Sequence, residues 1–441
     1  MKKFLFILFI LFYSIPAYSI NLISDEETQT WLYDILTPIF KSANIPLNKD
    51  YIHIVNDDSL NAFVGDKNHI FIHTGTLLKA SNTNEIEGVL AHETGHILGG
   101  HILRLKIKLQ DLQKASLGSL IAAATIAATS GRGDTAIAVV LGAQSSAINS
   151  LTSYQISEER SADETAINLL QKQNKSVKGL KDFMIKIQQQ NRLQGITESP
   201  YFRTHPITSE RISFISQKLK QEKSSQNNSE LDQRLSRIQT KLYAYLSPLP
   251  DVIKRYPLNN TSLNATLAHS IYYMRQKNLN QALKYINNLI SHEPKNPYFI
   301  ELKAQTLFET GNTKDAIITY KQALQLKPSS DIFKISYAEA ILANSPSRKQ
   351  LKEIIPLLEH ANRNHAYPLV YNLLGKTYSL LGEIAISDYF SAEYNNAIGH
   401  QELAFKQLNK ALKQPLRQDI KLRAQDLHDK LKQNTKKDTL L

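Results

Sequence analysis

The sequence predicts an α+β protein that is predominantly helical, with a domain holding a small sheet followed by an all-α repeat solenoid. Three observations carry this prediction. Two short apolar runs, Tyr51 to Val55 and Ile70 to His73, read as strands among segments whose apolar residues recur at helical spacing. Beyond Pro250 one pattern returns after 34 residues. The chain of 441 residues, 42% hydrophobic, exceeds one average domain and is apolar enough for more than one core.

Composition removes several classes. With 21% charged and 8% aromatic residues, 16 Gly and 15 Pro, the chain is not collagen-like or wholly disordered. Zero cysteines exclude disulfide scaffolds, Cys-ligated metals and thiol catalysis, so any metal site must use His, Asp or Glu. The net charge is +12, of which residues 264–441 supply +8 (24 basic against 16 acidic). No dense Lys/Arg run carries interleaved aromatics, so nucleic acid is not the expected partner. A solvated basic face is the simpler reading, and an acidic partner or anionic envelope surface the second.

The elements follow in order. Lys2-Lys3, the apolar run Phe4 to Tyr13 and the small residues Ala17 and Ser19 describe a signal peptide over 1–19, cleaved after Ser19. A membrane anchor needs about 20 apolar residues, and Pro16 interrupts too early. Trp31, Ile35, Leu36, Ile39 and Phe40 share one face of an amphipathic helix. The strand from Tyr51 leads to Asn61-Ala62-Phe63-Val64, a turn at Asp66-Lys67-Asn68 and the strand from Ile70. Ser81 to Glu85 offers caps for the helix that runs through Glu87 and Leu90. Residues 115–150, rich in Ala, Gly, Ser and Ile, read as two tightly packed small-residue helices, with a membrane-touching or substrate-facing flap as the alternative. A further helix begins at Ser157, and Gln221 to Asp232 reads as a loop.

Past the loop, Ala282, Ile286, Leu289 and Pro294 return as Ala316, Tyr320, Ala323 and Pro328. That period and residue order are the tetratricopeptide (TPR) signature, and the array stacks into a concave surface that binds segments of other proteins. Tyr371, Leu374, Gly375, Tyr378 and Gly382 fit another unit, and the stretch Tyr337 to His360 is degenerate. The expected division is 20–245, a linker at 246–262, and a TPR domain at 263–441.

The chemistry concentrates at His92-Glu93-Thr94-Gly95-His96. Residues four apart on a helix share a face, so both imidazoles present nitrogen to one point, as zinc requires, and Glu93 sits beside it as a general base for water. Zinc needs a third protein ligand. In the pattern HExxHxxGxxH, Gly99 fits the glycine but Ile102 takes the histidine's place. His101 is one short and, on a continuous helix, projects nearly opposite His92; a turn at Gly99-Gly100 would redirect it. The other option is Glu159, which shares an inward face with Ala162, Asp163, Ala166 and Leu170. Two inward carboxylates need a positive partner, and a cation held by the histidines provides one, with Asp163 bonding a ligand imidazole. An exposed acidic first turn is the competing reading.

These residues resemble the BepA-type (YfgC-type) periplasmic zinc metalloproteases of Gram-negative bacteria, gluzincins with a TPR tail. The resemblance spans the leader, Asn61-Ala62-Phe63, the strand from Ile70, His92 to His96, His101, Glu159 with Asp163, Thr204-His205-Pro206, Glu210-Arg211-Ile212 and the repeats. It implies a zincin-like metallopeptidase domain over 20–245, one Zn2+ held by His92, His96 and Glu159, Glu93 as catalytic base and Asp163 as supporting acid. It also implies that His205 lies on a loop able to cover the metal, and it places Arg211 among the regulatory residues. By itself, a His before Pro at a helix start reads as a cap or surface residue. The family usually has Gly-Gly before the strand at Ile70, where this chain has Lys67-Asn68-His69. A substrate chain is expected as an added strand along Ile70–His73. The resemblance implies a periplasmic endopeptidase of unfolded or misassembled envelope proteins, docking outer-membrane assembly or lipopolysaccharide-transport machinery. The alternative is a periplasmic TPR chaperone or adaptor whose metal site is little used.

Overall fold

Strand pairing starts from alternation: residues two apart face the same side, so one side of each strand is apolar. In the computed structural model, which describes residues 21–48, 51–130, 133–194, 201, 204–222, 229–364 and 367–438, four strands make one sheet. They are β1 (Leu22–Ile23), β2 (Ile52–Val55), β3 (Ala62–Val64) and β4 (Ile70–His73), in the order β1-β2-β4-β3. The expected leader lies outside the described residues. Ile52, Ile54, Ala62, Val64, Ile70 and Ile72 are buried against the helices. On the other face His53, Phe71 and Phe63 stack across the strands, with ring centroids 4.8 and 5.0 Å apart.

One expectation fails here. β4 pairs parallel with β2 and antiparallel with β3, so Ile70–His73 has no free edge. The chain folds back through Lys67 and Asn68, both at positive φ (57° and 67°), and puts β3 on the outside. The free edge nearest the histidine helix therefore belongs to Ala62–Val64.

Helix α1 (Glu26–Ser42) lays Trp31, Leu32, Ile35, Leu36, Ile39 and Phe40 on the apolar face of the sheet, and Asp25 caps it by accepting from the Thr28 amide. After the short α2 (Thr74–Lys79), α3 (Thr83–Gly99) runs through the centre, buried at every residue from Glu85 to His96. Then come α4 (His101–Ser130) and α5 (Gly133–Gln171), packed on each other, which hold the described part of residues 115–150 as two helices. Among the described residues no helix is long and apolar enough to cross a membrane. Glu158 and Glu159 do not start a helix. The Ala-rich stretch before them continues unbroken from Gly133, which removes the reading of an acidic first turn. α6 (Lys178–Gln194) and α7 (Ser209–Leu219) complete the layer.

Part of the stretch read as a loop is helical: α8 (Ser229–Leu246) begins inside it, and the Asp232 carboxylate accepts from the Thr83 amide at the start of α3. Leu249–Arg255, within the expected linker, forms α9 with Val252 buried. Five helix pairs follow among the described residues, from Leu263–Arg275 with Leu279–His292 to Gln401–Leu412 with Gln418–Asp438. The repeat positions Ala282, Ile286, Leu289, Ala316, Tyr320 and Ala323 are all buried, and the degenerate unit still pairs as Asp331–Leu342 and Arg348–Asn364. The array touches the first domain at Glu26, whose Oε2 accepts from Ser330 Oγ at 2.6 Å.

Candidate metal centre

α3 supplies the first donors. Asn82 caps its start by accepting from the Glu85 amide at 3.2 Å. Two turns later, His92 and His96 bring their Nε2 atoms to 3.1 Å from each other. α5 crosses close by because residue 95 is glycine: a Cβ there would lie 2.7 Å from the Ala162 carbonyl oxygen. That crossing delivers Glu159, with Oε2 3.2 Å from His92 Nε2 and Oε1 3.2 Å from His96 Nε2. His205, just before α7, sets Nδ1 at 2.9 Å from Glu159 Oε1. One donor atom from each of His92, His96, Glu159 and His205 lies within 4.8 Å of the others, and all four residues are buried.

The donor spacing suits a metal. Bonds of about 2.0–2.1 Å in a tetrahedron give edges of about 3.3 Å; the two histidine Nε2 atoms are 3.1 Å apart, close to one such edge, and each lies 3.2 Å from a different oxygen of Glu159. His205 Nε2 is also buried without a hydrogen-bond partner.

Glu93 points into the same space. Neither carboxylate oxygen has a hydrogen-bond partner, and burial pushes its pKa up. Behind the histidines, Asp163 Oδ1 lies 2.9 Å from His92 Nδ1. Arg211 donates from Nε and NH2 to the two Asp163 oxygens at 2.6 and 2.9 Å, lies 2.8 Å from Glu159, and donates to the Pro206 carbonyl. Burial works against the charged forms of these groups, but their partners win. Arg211 and His92 hold the Asp163 carboxyl below its usual range, and Asp163 and Glu159 lift His92 to about 10. His96, where burial dominates, is pushed down to about 3.

Residues 26–219 match Peptidase family M48. That stretch is an M48 peptidase domain, and the chain is a metalloprotease. It is homologous to the "Beta-barrel assembly-enhancing protease" of Yersinia pestis, with 22% identity over 411 residues, 92% of this chain and 80% of that protein. The protein of the same name from Escherichia coli K12 is 21% identical over 331 residues, 74% of this chain and 67% of its own length. "Metalloprotease YcaL" of E. coli K12 is 32% identical over 157 residues, 35% of this chain and 57% of that one. Among solved structures, MamA 41-end from Desulfovibrio magneticus RS-1 has a TM-score of 0.30 and 18% identity, covering 40% of this chain and 97% of that one.

Within the M48 domain the structure brings together His92, Glu93, His96, Glu159, Asp163, His205 and Arg211. His101 goes elsewhere. Gly100 adopts a left-handed φ of 63°, the helix ends, and the His101 ring folds back onto His96 from the side away from Glu159. Three residues near the site carry no sequence signal of their own. Tyr201, fully buried, sets its ring 4.6 Å from that of His205. Glu158 and Arg104 pair with each other beside His101. Only the adjacency of Glu158 to Glu159 hinted at the second of these.

Proposed function

We propose that this chain is a zinc-dependent endopeptidase of the bacterial periplasm that cleaves unfolded or misassembled envelope proteins. One observation carries the reading: two histidines and a glutamate with donor atoms 3.1–3.2 Å apart, and beside them a buried carboxylate, Glu93, that makes no hydrogen bond. His92, His96 and Glu159 would hold the metal. Bound there, zinc supplies Lewis acidity and brings the pKa of water from about 15.7 to about 7. Glu93 takes the proton from the attacking water and returns it to the leaving amine, a task suited to a carboxylate whose pKa burial has raised. Asp163 orients His92 through Nδ1, and Arg211 holds Asp163 ionised. The substrate backbone adds as a strand along the free edge of β3, where main-chain pairing tolerates many sequences. The relatives' printed name supports beta-barrel proteins of the outer membrane as clients, and the concave TPR surface supports docking of client or assembly machinery.

His205 would be a fourth donor; it lies between Glu159 and Glu93, at 2.9 and 3.7 Å. A His205 that occupied the fourth position would keep water and substrate from the metal and hold the resting enzyme latent.

The test is cleavage of a casein-like substrate by the full chain, with zinc stoichiometry measured on the same samples. Glu93→Gln is expected to keep its zinc and lose about 10²–10⁴-fold in rate. Retained activity removes Glu93 from the role. His205→Ala is expected to cleave faster than wild type; equal or slower cleavage refutes the latch. Zinc binding with no cleavage by any of these variants favours the adaptor reading.

A further inference from the structure

We propose that His101 and Glu158 are positioning residues: His101 hydrogen-bonds His96, and the Glu158 carboxylate beside it holds the His101 ring in place, fixing the His96 imidazole for metal binding. The inference rests on the metal reading above and extends it to residues outside the donor set.

Proton placement leads to it. His96 turns Nε2 toward His92 and Glu159, at 3.1 and 3.2 Å. A neutral imidazole that donates a lone pair from Nε2 carries its proton on Nδ1. That Nδ1 lies 2.7 Å from Nδ1 of His101, a separation at which one nitrogen donates and the other accepts. His101 Nδ1 is therefore the acceptor, and the His101 proton sits on Nε2. That atom lies 2.6 Å from Glu158 Oε2, a charge contact outside hydrogen-bond geometry, and Glu158 is in turn paired with the Arg104 guanidinium. The His96–His101 bond fixes the tautomer of both rings, and the His101 ring rests against a charge-balanced pair. His92 is served in parallel fashion, by Asp163 braced with Arg211.

The backbone is arranged for this contact. The break at Gly100 starts α4 in a new direction and throws His101 back over the end of α3. A Cβ at position 99 would lie 2.0 Å from His101 Nε2, so the ring occupies space that any other side chain there would need. His101 is 4% exposed, and water does not substitute freely for its bond to His96. His101 meets His96 at Nδ1, on the far side from the donor cluster, so it does not compete with Glu159 as a ligand.

Zinc affinity of the full chain, measured by competition with a chromophoric chelator, tests the positioning role without using activity. His101→Ala is expected to weaken zinc binding by about 10–100-fold at unchanged stoichiometry. His101→Asn offers an amide oxygen to the same Nδ1–H and is expected to stay within about threefold of wild type. Gly99→Ala, which displaces the ring, and Glu158→Ala, which removes its anchor, are expected to weaken binding in the same direction. Wild-type affinity in His101→Ala overturns the positioning role, as does an Asn variant as weak as the Ala variant. If His101→Ala does not fold, as judged by circular dichroism, the Gly99 and Glu158 variants decide: wild-type affinity in both overturns the proposal. A wild-type chain that binds no zinc defeats the metal reading itself, whereas tight binding indifferent to these residues defeats only the positioning role.

Discussion

Replacing Arg211 with Leu should be among the most damaging single changes in the M48 domain. Arg211 is 4% exposed and Asp163 fully buried, and the guanidinium makes two hydrogen bonds to Asp163 and lies 2.8 Å from Glu159. Removing it strands carboxylates that have no water to turn to. Breaking a buried pair in this way costs about 3–5 kcal/mol. For a domain of this size about 2–4 °C is lost per kcal/mol, so the zinc-free protein should melt about 6–20 °C lower. The double variant Arg211→Leu with Asp163→Leu leaves neither charge of that pair alone, and its loss should fall short of the summed single losses by about 1–3 kcal/mol. Thermal unfolding of the full chain in chelator, followed by circular dichroism for wild type, both singles and the double, measures this. A shift under about 2 °C for Arg211→Leu, or strict additivity in the double, refutes the claim that Arg211 is there to neutralise these carboxylates.

Two further perturbations probe the frame and the domain junction. Gly95→Ala places a Cβ 2.7 Å from the Ala162 carbonyl oxygen, so α3 and α5 must part. About 1–3 kcal/mol of stability should be lost, and zinc binding should weaken because Glu159 rides on α5, while Gly142→Ala, in open space, should do neither. Chemical denaturation and a zinc titration read both. Glu301 lines a cavity of about 500 Å3 between α8 and the repeats, together with Asp25, Tyr245 and Glu339. Burial pushes its pKa up to about 7 despite nearby Lys241, so the folded state holds a proton that the unfolded chain releases near 4.5. Its contribution to stability is therefore greatest below about 4.5 and falls as pH rises to about 7, by about 1–3 kcal/mol. Glu301→Gln should melt above wild type at pH 8, with the gap closing toward pH 4; an equal gap at both pH values would contradict the assignment.

The two halves of the chain differ in how far they could be read in advance. Repeat helices bury local, periodic faces, so Ala282, Ala316 and their companions announce the array, and even the degenerate unit follows its neighbours into a helix pair. Position in a sheet is not local. The run Ile70 to His73 is apolar enough to be a strand at an edge or in the middle, and only pairing with both β2 and β3 decides for the middle. Helix ends were similarly hidden. Glu159 has the same neighbours in sequence whether its helix starts at Ser157 or, as here, at Gly133.

What the sequence by itself determined is the chemistry available: no cysteines, a His-Glu-x-x-His stretch whose imidazoles must share a face, and two carboxylates one turn apart at Glu159 and Asp163. These follow from composition and from the pitch of a helix. Tertiary structure alone decided which groups meet. The approach of α5 at Gly95 brings Glu159 to both histidines, the left-handed turn at Gly100 sends His101 to the back of His96, and Arg211 comes in from a separate helix to hold the two carboxylates. The physical reason is distance along the chain. Helical periodicity acts over a few residues, whereas the contacts that build the centre join segments dozens of residues apart and exist only once the core has packed.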